Sequence, residues 1–342
     1  MISLTHAAVW LPHQFEDSEY ISQQSGIDKN VVETKMGIIR KCRAPADIHP
    51  SEMAIRAAKF VLANTDPKSI DLVIWSGSEY KDYPVWSAGI FVQKQLGLCN
   101  AFAFDASARC SSNVLALRLA KDMMTSNQKL KNVLICGGHR TGDLVNYQDP
   151  NARFLYNLSD GGSAMLVDRS GINPILESHF ITDGDFSLDV IIPGGGTKQP
   201  TRTRPNLKDT YLCVPNMAGM RDRLANRSIQ NFLKVIKTAA SSSLPHQPID
   251  YLALLHMKRS AHDEILNQLE LQQQQSQYMD RFGHFGAPDQ VLSMGLAENS
   301  GQLKKGNHLV LASAGIGYTW SAISIQWNQP TFSLEAFEQI QQ

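Results

Sequence analysis

The strongest constraint on the fold is an alternation of short apolar runs with longer amphipathic stretches along the chain. The apolar runs are rich in β-branched residues and have the length of buried strands. They lie at residues 71–76, 101–105, 132–136, 163–167, 251–255, 308–312 and 321–327. Helical periodicity is found between them, at residues 51–64, 86–96, 111–125, 215–242 and 261–271. Strands that alternate with helices predict an α/β fold with mainly buried sheets.

The length of the chain predicts two similar halves. A chain of 342 residues exceeds the usual size of a single hydrophobic core. A strand, a loop and a helix over residues 251–271 repeat the plan of the first half, although the sequence shows no close residue-level repeat. We place the seam at residues 168–174. This predicts an N-terminal half over residues 1–168 and a C-terminal half over residues 169–342.

Composition and charge narrow the range of partners. The 32 Lys and Arg residues balance 32 Asp and Glu residues, so no basic excess predicts binding to nucleic acid. No apolar run reaches the ~18 residues of a membrane span, and the N-terminus lacks a signal-peptide pattern. Five scattered cysteines show neither a CxxC pair nor a Cys/His zinc spacing. We therefore expect a cytoplasmic, reduced protein with no membrane association, no nucleic-acid partner and no metal site.

One of these cysteines, Cys110, lies at the junction of a strand, a sharp elbow and a helix. The apolar run 101–105 stops at small residues, and an amphipathic run begins at the cysteine itself. A helix N-terminus carries partial positive charge, which favours a thiolate over a thiol. A buried, inert cysteine is the commoner fate of a free thiol. The strand–elbow–helix context nevertheless predicts that Cys110 is an exposed nucleophile.

Two of the ten histidines follow predicted strand ends or tight turns. His256 closes the apolar run 251–255, and His284 is flanked by glycines. Ends of strands are where parallel sheets build active sites, so both are candidate catalytic residues. Gly315 and Gly317 separate the last two predicted strands. They form either a simple hairpin turn or a turn whose backbone N–H groups approach a reacting carbonyl oxygen.

Six motifs, in order along the chain, resemble those of thiolase-superfamily condensing enzymes, nearest to β-ketoacyl-acyl-carrier-protein synthase III. They are Gly37-Ile38, Phe104-Asp-Ala-Ser-Ala-Arg-Cys110, Asp149-Pro-Asn-Ala-Arg153, Asp160-Gly-Gly-Ser-Ala164, His256 and Gly317-Tyr-Thr-Trp320. Together they cover essentially the whole chain. The resemblance implies a thiolase-like duplicated αβαβα layered sandwich that works as a homodimer. It implies no permanently bound cofactor and no metal.

The same resemblance implies a role for each matching residue. Cys110 matches the nucleophile that accepts an acyl group, and His256 matches the first active-site histidine. The third position is usually asparagine in synthase III, but here it falls on His284. Asn299 is the nearest later asparagine, and it lies in a helix-like stretch too far along. The resulting Cys-His-His set is closer to that of the elongating ketosynthases. The backbone N–H groups of Cys110 and Ile316 match the oxyanion hole.

The implied reaction has two steps. An acyl group passes from a thioester donor to Cys110, and a malonyl- or β-ketoacyl-thioester then reacts in a decarboxylative Claisen-type condensation. Two neutral histidines, each donating from Nε2, are expected to hold the enolate oxygen. The altered residue set favours a specialised fatty acid or polyketide pathway. Two alternatives remain open: an acyltransferase that moves the acyl group to an oxygen or nitrogen nucleophile, and a non-catalytic ketosynthase partner subunit.

The resemblance leaves the acyl donor open between acyl-coenzyme A and an acyl carrier protein. Arg153 matches an arginine that stacks on the coenzyme A adenine. The matching tryptophan, however, falls on Val31, which has no aromatic face. Lys35 replaces the usual nearby arginine, and Ala261 replaces another. Either donor presents a phosphopantetheine thioester.

Basic side chains are expected to meet the acidic surface of a carrier protein at the tunnel mouth. Lys258 and Arg259 follow His256 directly, and Arg221 is a further candidate. Together with Arg153 and Lys35, the first two form the expected substrate- and phosphopantetheine-binding set.

Tyr83-Pro84 matches the loop that crosses the dimer interface of the family and closes the acyl pocket of the partner. A plain surface turn is the alternative. Glu79 and Asp82 add carboxylates to this loop. In some related head-to-head condensing enzymes a glutamate from the dimer mate acts as a base, but spacing alone does not assign that role here.

Overall fold

The computed structural model describes residues 1–333 and 335–336, and two β-sheets separated by helices form its frame. The strands are β1 (Ser3–Trp10), β2 (Gln14–Asp17), β3 (Arg40–Arg43), β4 (Leu72–Trp75), β5 (Phe102–Asp105), β6 (Val133–Arg140), β7 (Asp160–Asp168), β8 (Ile175–Thr182), β9 (Tyr251–Leu254), β10 (Asn307–Gly315) and β11 (Thr319–Trp327). The α-helices are α1 (Ser18–Ser25), α2 (Lys29–Val31), α3 (Pro50–Val61), α4 (Ala88–Gln95), α5 (Ser112–Ser126), α6 (Met217–Ser243), α7 (Arg259–Gln268) and α8 (Asp289–Asn299).

The two sheets are built from successive parts of the chain. The first has the order β1-β7-β6-β4-β5, with β4 parallel to β5 and β6, and with β7 antiparallel to β1 and β6. The second has the order β8-β11-β10-β9, with β9 and β10 parallel and the other pairs antiparallel. A small antiparallel ribbon joins β2 to β3.

The helices divide into three layers around these sheets. Helix α5 contacts strands of both sheets, and α8 contacts β1 of the first sheet and β9 and β10 of the second. Both helices therefore lie between the sheets. Helices α3 and α4 cover the outer face of the first sheet, and α6 contacts β8, β10 and β11 of the second. This confirms the predicted α/β class and the αβαβα layers.

Helix α3 shows how local sequence sets one of these layers. Pro50 occupies its first turn, where a missing N–H is harmless. The buried side chains of Met53, Ala54, Ala57 and Ala58 lie on one face, which packs against β1, β6 and β7. Small alanines on that face allow the helix to approach the sheet closely.

All seven predicted strand regions contain strands, but the sequence analysis missed β1, β8 and the β2–β3 ribbon. Strand β8 forms an edge of the second sheet, and most of its side chains are only half-buried. It therefore lacks the continuous apolar run of a central strand. The predicted turn between two antiparallel strands is confirmed by the pairing of β10 with β11, but Gly315 is the last residue of β10 and only Gly317 lies in the turn.

The seam predicted at residues 168–174 lies between the last strand of the first sheet and the first strand of the second. Strand β7 ends at Asp168, and β8 begins at Ile175. The division into halves over residues 1–168 and 169–342 stays a prediction. Among the described residues, every helix is too short or too polar to span a bilayer.

Candidate active site

The elbow that carries Cys110 is a short 3₁₀ turn between β5 and α5. The turn covers Arg109–Ser111, and α5 begins only at Ser112. This corrects the expectation that the helix starts at the thiol. The Ser112 hydroxyl donates to the Arg109 carbonyl at 2.6 Å and accepts from the Ala108 N–H at 2.9 Å. These two bonds close the turn one step before the helix begins.

Arg109 has the unusual backbone conformation that makes the elbow turn sharply. Its φ of 54° lies in the left-handed region, which residues other than glycine seldom adopt. The Arg109 guanidinium and the Ser107 hydroxyl both donate to the Glu79 carboxylate. Glu79 therefore braces the elbow of its own chain. The turn leaves the Cys110 side chain half-buried, which agrees with the predicted accessible thiol.

Two other cysteines lack the solvent exposure that the elbow gives to Cys110. Cys42 and Cys136 are buried within strands, and burial raises the pKa of each to about 12. Such thiols are inert at neutral pH.

Strand β10 approaches the elbow from the second sheet. The Ser313 hydroxyl donates to the Cys110 carbonyl at 2.7 Å. A Cβ on Gly315 would lie only 2.4 Å from the Ala108 carbonyl oxygen, so glycine permits this approach. Ile316, the second expected oxyanion-hole residue, lies in the turn after β10. Its role and that of the Cys110 N–H stay predictions.

His284 faces Cys110 from the loop before α8. Its Nε2 lies 3.2 Å from the Cys110 Sγ, across 174 residues of sequence. The backbone of His284 is fixed on both sides: its N–H donates to the Asn157 carbonyl at 2.8 Å, and its carbonyl accepts from the Ser159 N–H at 2.9 Å. The residue is nearly buried, with 8 % of its surface exposed.

Asp289, the first residue of α8, connects the two histidines. Its Oδ2 lies 2.5 Å from the His284 Nδ1 and accepts the His256 backbone N–H at 2.8 Å. Its Oδ1 accepts the Phe285 N–H at 3.0 Å. The carboxylate is fully buried. Sequence reasoning missed it, although an acidic residue in a first helical turn, five positions after His284, was a usable signal.

The surroundings of His284 favour the protonated ring. Burial lowers its pKa, but the Asp289 carboxylate and the Cys110 sulfur together raise it well above its usual range. In its protonated form the ring donates from Nδ1 to Asp289 and from Nε2 to Cys110. Two neutral histidines were expected, and for His284 the structure corrects this expectation because of the adjacent carboxylate.

His256 has the opposite environment. Burial is the main cause that lowers its pKa to about 3, and His284, His262 and Arg259 add to the effect. Among the described residues, neither ring nitrogen has a partner with hydrogen-bond geometry, although the nearby Gly37 backbone slightly favours protonation. The ring is therefore neutral at physiological pH, with both nitrogens open.

A third histidine, His139, lies behind the loop of His284. It is buried near the end of β6, and burial followed by the charge of His284 lowers its pKa to about 3. A Cβ on Gly286 would lie 2.6 Å from its Nδ1. The His139 ring therefore supports the loop directly after His284. Sequence reasoning did not select it.

The Asp160-Gly-Gly-Ser-Ala164 motif supports the same loop. The Asp160 carboxylate accepts from the Arg43 guanidinium at 2.7 Å and from the Gly142 N–H at 2.9 Å. A Cβ on Gly161 would lie 2.8 Å from the Phe285 ring. The motif leaves room for the side chain that follows His284, so its contribution to the site is structural.

In the described part of the chain, only Arg259 of the expected substrate-binding residues is connected to the site, through Tyr278. Arg259, at the start of α7, lies over the Tyr278 ring at 3.6 Å, and Tyr278 in turn contacts His256. Lys35, Arg153 and Lys258 are exposed side chains on the surface, and within residues 1–333 and 335–336 no hydrogen bond or ion pair joins them to the Cys–His set. Their part in binding substrate stays a prediction. Arg221 is likewise exposed, on α6.

The loop expected at a dimer interface exposes two large hydrophobic side chains near Pro84. Tyr83 is 64 % exposed, and Val85, two residues later, is fully exposed. Phe102, on the neighbouring edge strand β5, is 61 % exposed. The Asp82 carboxylate is used within the chain, because it accepts from both the N–H and the hydroxyl of Ser51. The function of Tyr83 at an acyl pocket stays a prediction.

Comparisons with known proteins show which family this chain is similar to. Residues 104–184 match the family model for 3-oxoacyl-[acyl-carrier-protein (ACP)] synthase III, and residues 239–327 match the model for its C-terminal part. The β-ketoacyl-[acyl-carrier-protein] synthase III of Syntrophomonas wolfei is 25% identical over 332 residues, covering 93% of this chain and 95% of that protein.

Solved structures show the same fold. The 3-oxoacyl-[acyl-carrier-protein] synthase III of Aquifex aeolicus superposes with a TM-score of 0.80 at 21% identity, covering 96% of this chain and 100% of that one. The priming β-ketosynthase of the R1128 polyketide pathway gives a TM-score of 0.85 at 18% identity, covering 96% and 97%. The chain is thus similar to β-ketoacyl-acyl-carrier-protein synthase III along most of its length and shares the fold of these condensing enzymes.

Proposed function

We propose that the protein is a ketosynthase III-like condensing enzyme that loads an acyl group onto Cys110. The observation that carries the proposal is the 3.2 Å contact between the Cys110 sulfur and the His284 ring, which Asp289 holds from the other side. A nucleophile, a ring nitrogen and a carboxylate in this order form the arrangement used for acyl transfer.

The loading step follows from the charges of these groups. The Cys110 thiolate attacks the carbonyl of a phosphopantetheine thioester, and the new sulfur–carbon bond replaces the bond to the carrier sulfur. The His284 imidazolium supplies the proton that the departing thiol needs. The backbone N–H groups of Cys110 and Ile316, which match the oxyanion hole of the resembling family, are the proposed donors to the oxyanion.

The condensation step falls to His256. When a malonyl thioester loses CO2, the electrons of the broken carbon–carbon bond move to the thioester oxygen. A neutral imidazole with an open N–H stabilises this enolate by donating a hydrogen bond. Both ring nitrogens of His256 are open in the described part of the chain. The enolate carbon then attacks the acyl-Cys110 carbonyl and releases the thiolate.

A second candidate is acyl transfer to an oxygen or nitrogen nucleophile, and the His284–Asp289 contact favours it. Asp289 keeps a proton on the His284 Nδ1. After the loading step has removed the proton from Nε2, this nitrogen is a base that faces the acyl sulfur. Such a base can activate a hydroxyl or amine. The two candidates share the loading step and differ only in the acceptor.

The assignments of the acyl donor, the oligomeric state and the pathway belong to the same proposal. An acyl carrier protein is the favoured donor, because Val31 occupies the position expected to stack on adenine; acyl-coenzyme A is the alternative. A homodimer is supported by the unpaired edge strand β5 with its exposed Phe102. A specialised fatty acid or polyketide pathway is supported by the likeness to a priming polyketide ketosynthase. Location in the cytoplasm stays a prediction.

The test is a two-stage assay on the purified protein. Intact-mass analysis with a panel of acyl-coenzyme A and acyl-carrier donors reports loading, and labelled malonyl carrier is then added. Release of CO2 coupled to a β-ketoacyl product supports condensation. An ester or amide product without CO2 supports the second candidate.

Two variants control this assay. Cys110→Ala is expected to gain no acyl mass, whereas Cys99→Ala, which removes an exposed thiol elsewhere, is expected to load like the parent protein. A protein that gains no acyl mass with any donor contradicts both candidates and supports a non-catalytic partner subunit.

A further inference from the structure

The His256 ring lies in the site without a hydrogen bond to set its direction. Its side chain is 2 % exposed, and both ring nitrogens lack partners among the described residues. The contact with Asp289 fixes only its backbone N–H. Apart from the nearby Gly37 backbone, the rotation of the ring about its side-chain bonds is therefore set by packing.

The packing partner of this ring is Tyr278. The two ring centroids are 4.9 Å apart, with the planes tilted by 58°. Tyr278 is itself enclosed: His262 meets it edge-on at 5.2 Å, and the Arg259 guanidinium covers it at 3.6 Å. Only 8 % of Tyr278 is exposed. Contacts on several sides leave the Tyr278 ring little freedom to move.

Two further contacts fix the position of Tyr278. Its hydroxyl donates to the carbonyl of Met257, the residue after His256, at 2.9 Å. A Cβ on Gly37 would lie 1.9 Å from the same hydroxyl oxygen. The space for Tyr278 therefore depends on the absence of a side chain at Gly37, which lies about 240 residues away in sequence.

We propose that Tyr278 is a positioning residue that orients the His256 ring toward the enolate oxygen. The inference rests on the proposed condensation, in which His256 donates to that oxygen while the carbon–carbon bond to CO2 breaks. Tyr278 undergoes no chemical change. It acts by keeping the His256 N–H aligned, and a misplacement of about 1 Å can cost on the order of 10²-fold in rate.

The test compares acyl loading with decarboxylation in two substitutions of Tyr278. Tyr278→Leu removes the aromatic ring, and we expect CO2 release to fall about 10²-fold, with loading within about twofold of the parent rate. Tyr278→Phe keeps the ring and loses only the bond to Met257, so it should retain most of the CO2 release. Equal losses in loading and decarboxylation for Tyr278→Leu would overturn the proposal, and so would unchanged decarboxylation.

Gly37→Ala provides a second test, in which Tyr278 itself is not substituted. Gly37 and Gly26 both have a φ near 70°, but a Cβ on Gly26 meets nothing within 4 Å. Both substitutions add the same backbone strain, and only Gly37→Ala pushes on Tyr278. We expect Gly37→Ala to lower decarboxylation selectively and Gly26→Ala to leave it unchanged. Equal behaviour of the two variants would contradict the inference.

Ring NMR signals of His256 separate this inference from the proposed function. If the parent protein loads acyl groups but releases no CO2, condensation is refuted, and the orientation of His256 is still measurable. Tyr278→Leu should shift the ring signals of His256 while those of His284 stay in place. Unchanged His256 signals in a folded Tyr278→Leu protein would reject the positioning role.

Discussion

The two histidines of the candidate site are alike in type and burial, yet their surroundings shift their pKa values in opposite directions. His284 lies between a carboxylate and a sulfur, and its pKa is raised well above the usual range. His256 lies against an aromatic ring, and burial, followed by the charges of His284, His262 and Arg259, lowers its pKa to about 3. Residue type therefore leaves the chemical role of a buried histidine open, and its neighbours decide it.

This difference divides the reaction between the two rings. A ring that carries a proton beside a sulfur is suited to proton transfer during loading. A neutral ring with open nitrogens is suited to holding an enolate oxygen. Both are anchored to Asp289, one through its ring and one through its backbone. A displacement of this carboxylate would therefore affect both steps.

The largest expected effect is that of His284→Ala on acyl loading. Loss of the proton donor next to the leaving thiol should lower the loading rate by about 10²- to 10⁴-fold. Single-turnover transfer from an acyl donor, followed by intact mass, measures this rate. A loading rate close to that of the parent protein would remove the proton-transfer role from His284.

His256→Ala is expected to spare loading and damage condensation. Removing one donor to a developing oxyanion costs about 10²- to 10³-fold. The measurement is CO2 release from a malonyl thioester by enzyme that has already been acylated on Cys110. A comparable loss in the loading step would show that the two histidines share one task.

Asp289→Asn directly tests why the pKa of His284 is raised while that of His256 is lowered. An amide of the same shape carries no charge, so the pKa of His284 should fall toward its ordinary value. Each pKa unit lost corresponds to about a tenfold change in the protonation equilibrium. Titration of the His284 ring signals by NMR measures the shift. A pKa that stays high in this variant would show that the Asp289 charge is not its cause.

The smallest expected effect is on acid stability. His256 has a folded-state pKa of about 3 and an unfolded value near 6.5. Between these values only the unfolded chain binds the proton, so stability falls as pH falls. His256→Gln should reduce this slope by up to one proton, about 1.4 kcal/mol per pH unit. Urea unfolding between pH 4 and 6.5 measures it.

His284 should act with the opposite sign. Because its folded-state pKa is raised, its contribution to stability is fully present below about pH 6.5. That contribution is lost as pH rises through the folded-state value. His284→Gln should therefore flatten the alkaline side of the stability profile. Identical slopes in the parent protein and both glutamine variants would contradict the assigned charges.

Local sequence was a good guide where an element is buried on both faces. Central strands such as β4 and β10 appear as continuous apolar runs, and Cys110 was located from the strand–elbow–helix pattern. The edge strand β8 gave no such run. Asp289, Tyr278 and His139 were missed because their importance lies in contacts with residues distant in sequence.

The amino-acid sequence by itself determined the alternation of strands and helices, the exposed elbow and the residue types available for chemistry. These are consequences of short-range periodicity and of the small residues around the elbow. Only the tertiary structure decided that His284 contacts Cys110 across 174 residues of sequence. It also decided that Asp289 contacts the other side of the His284 ring and that Tyr278 packs against His256. The proton on a buried ring depends on charges within a few ångströms, and those distances exist only in the folded chain.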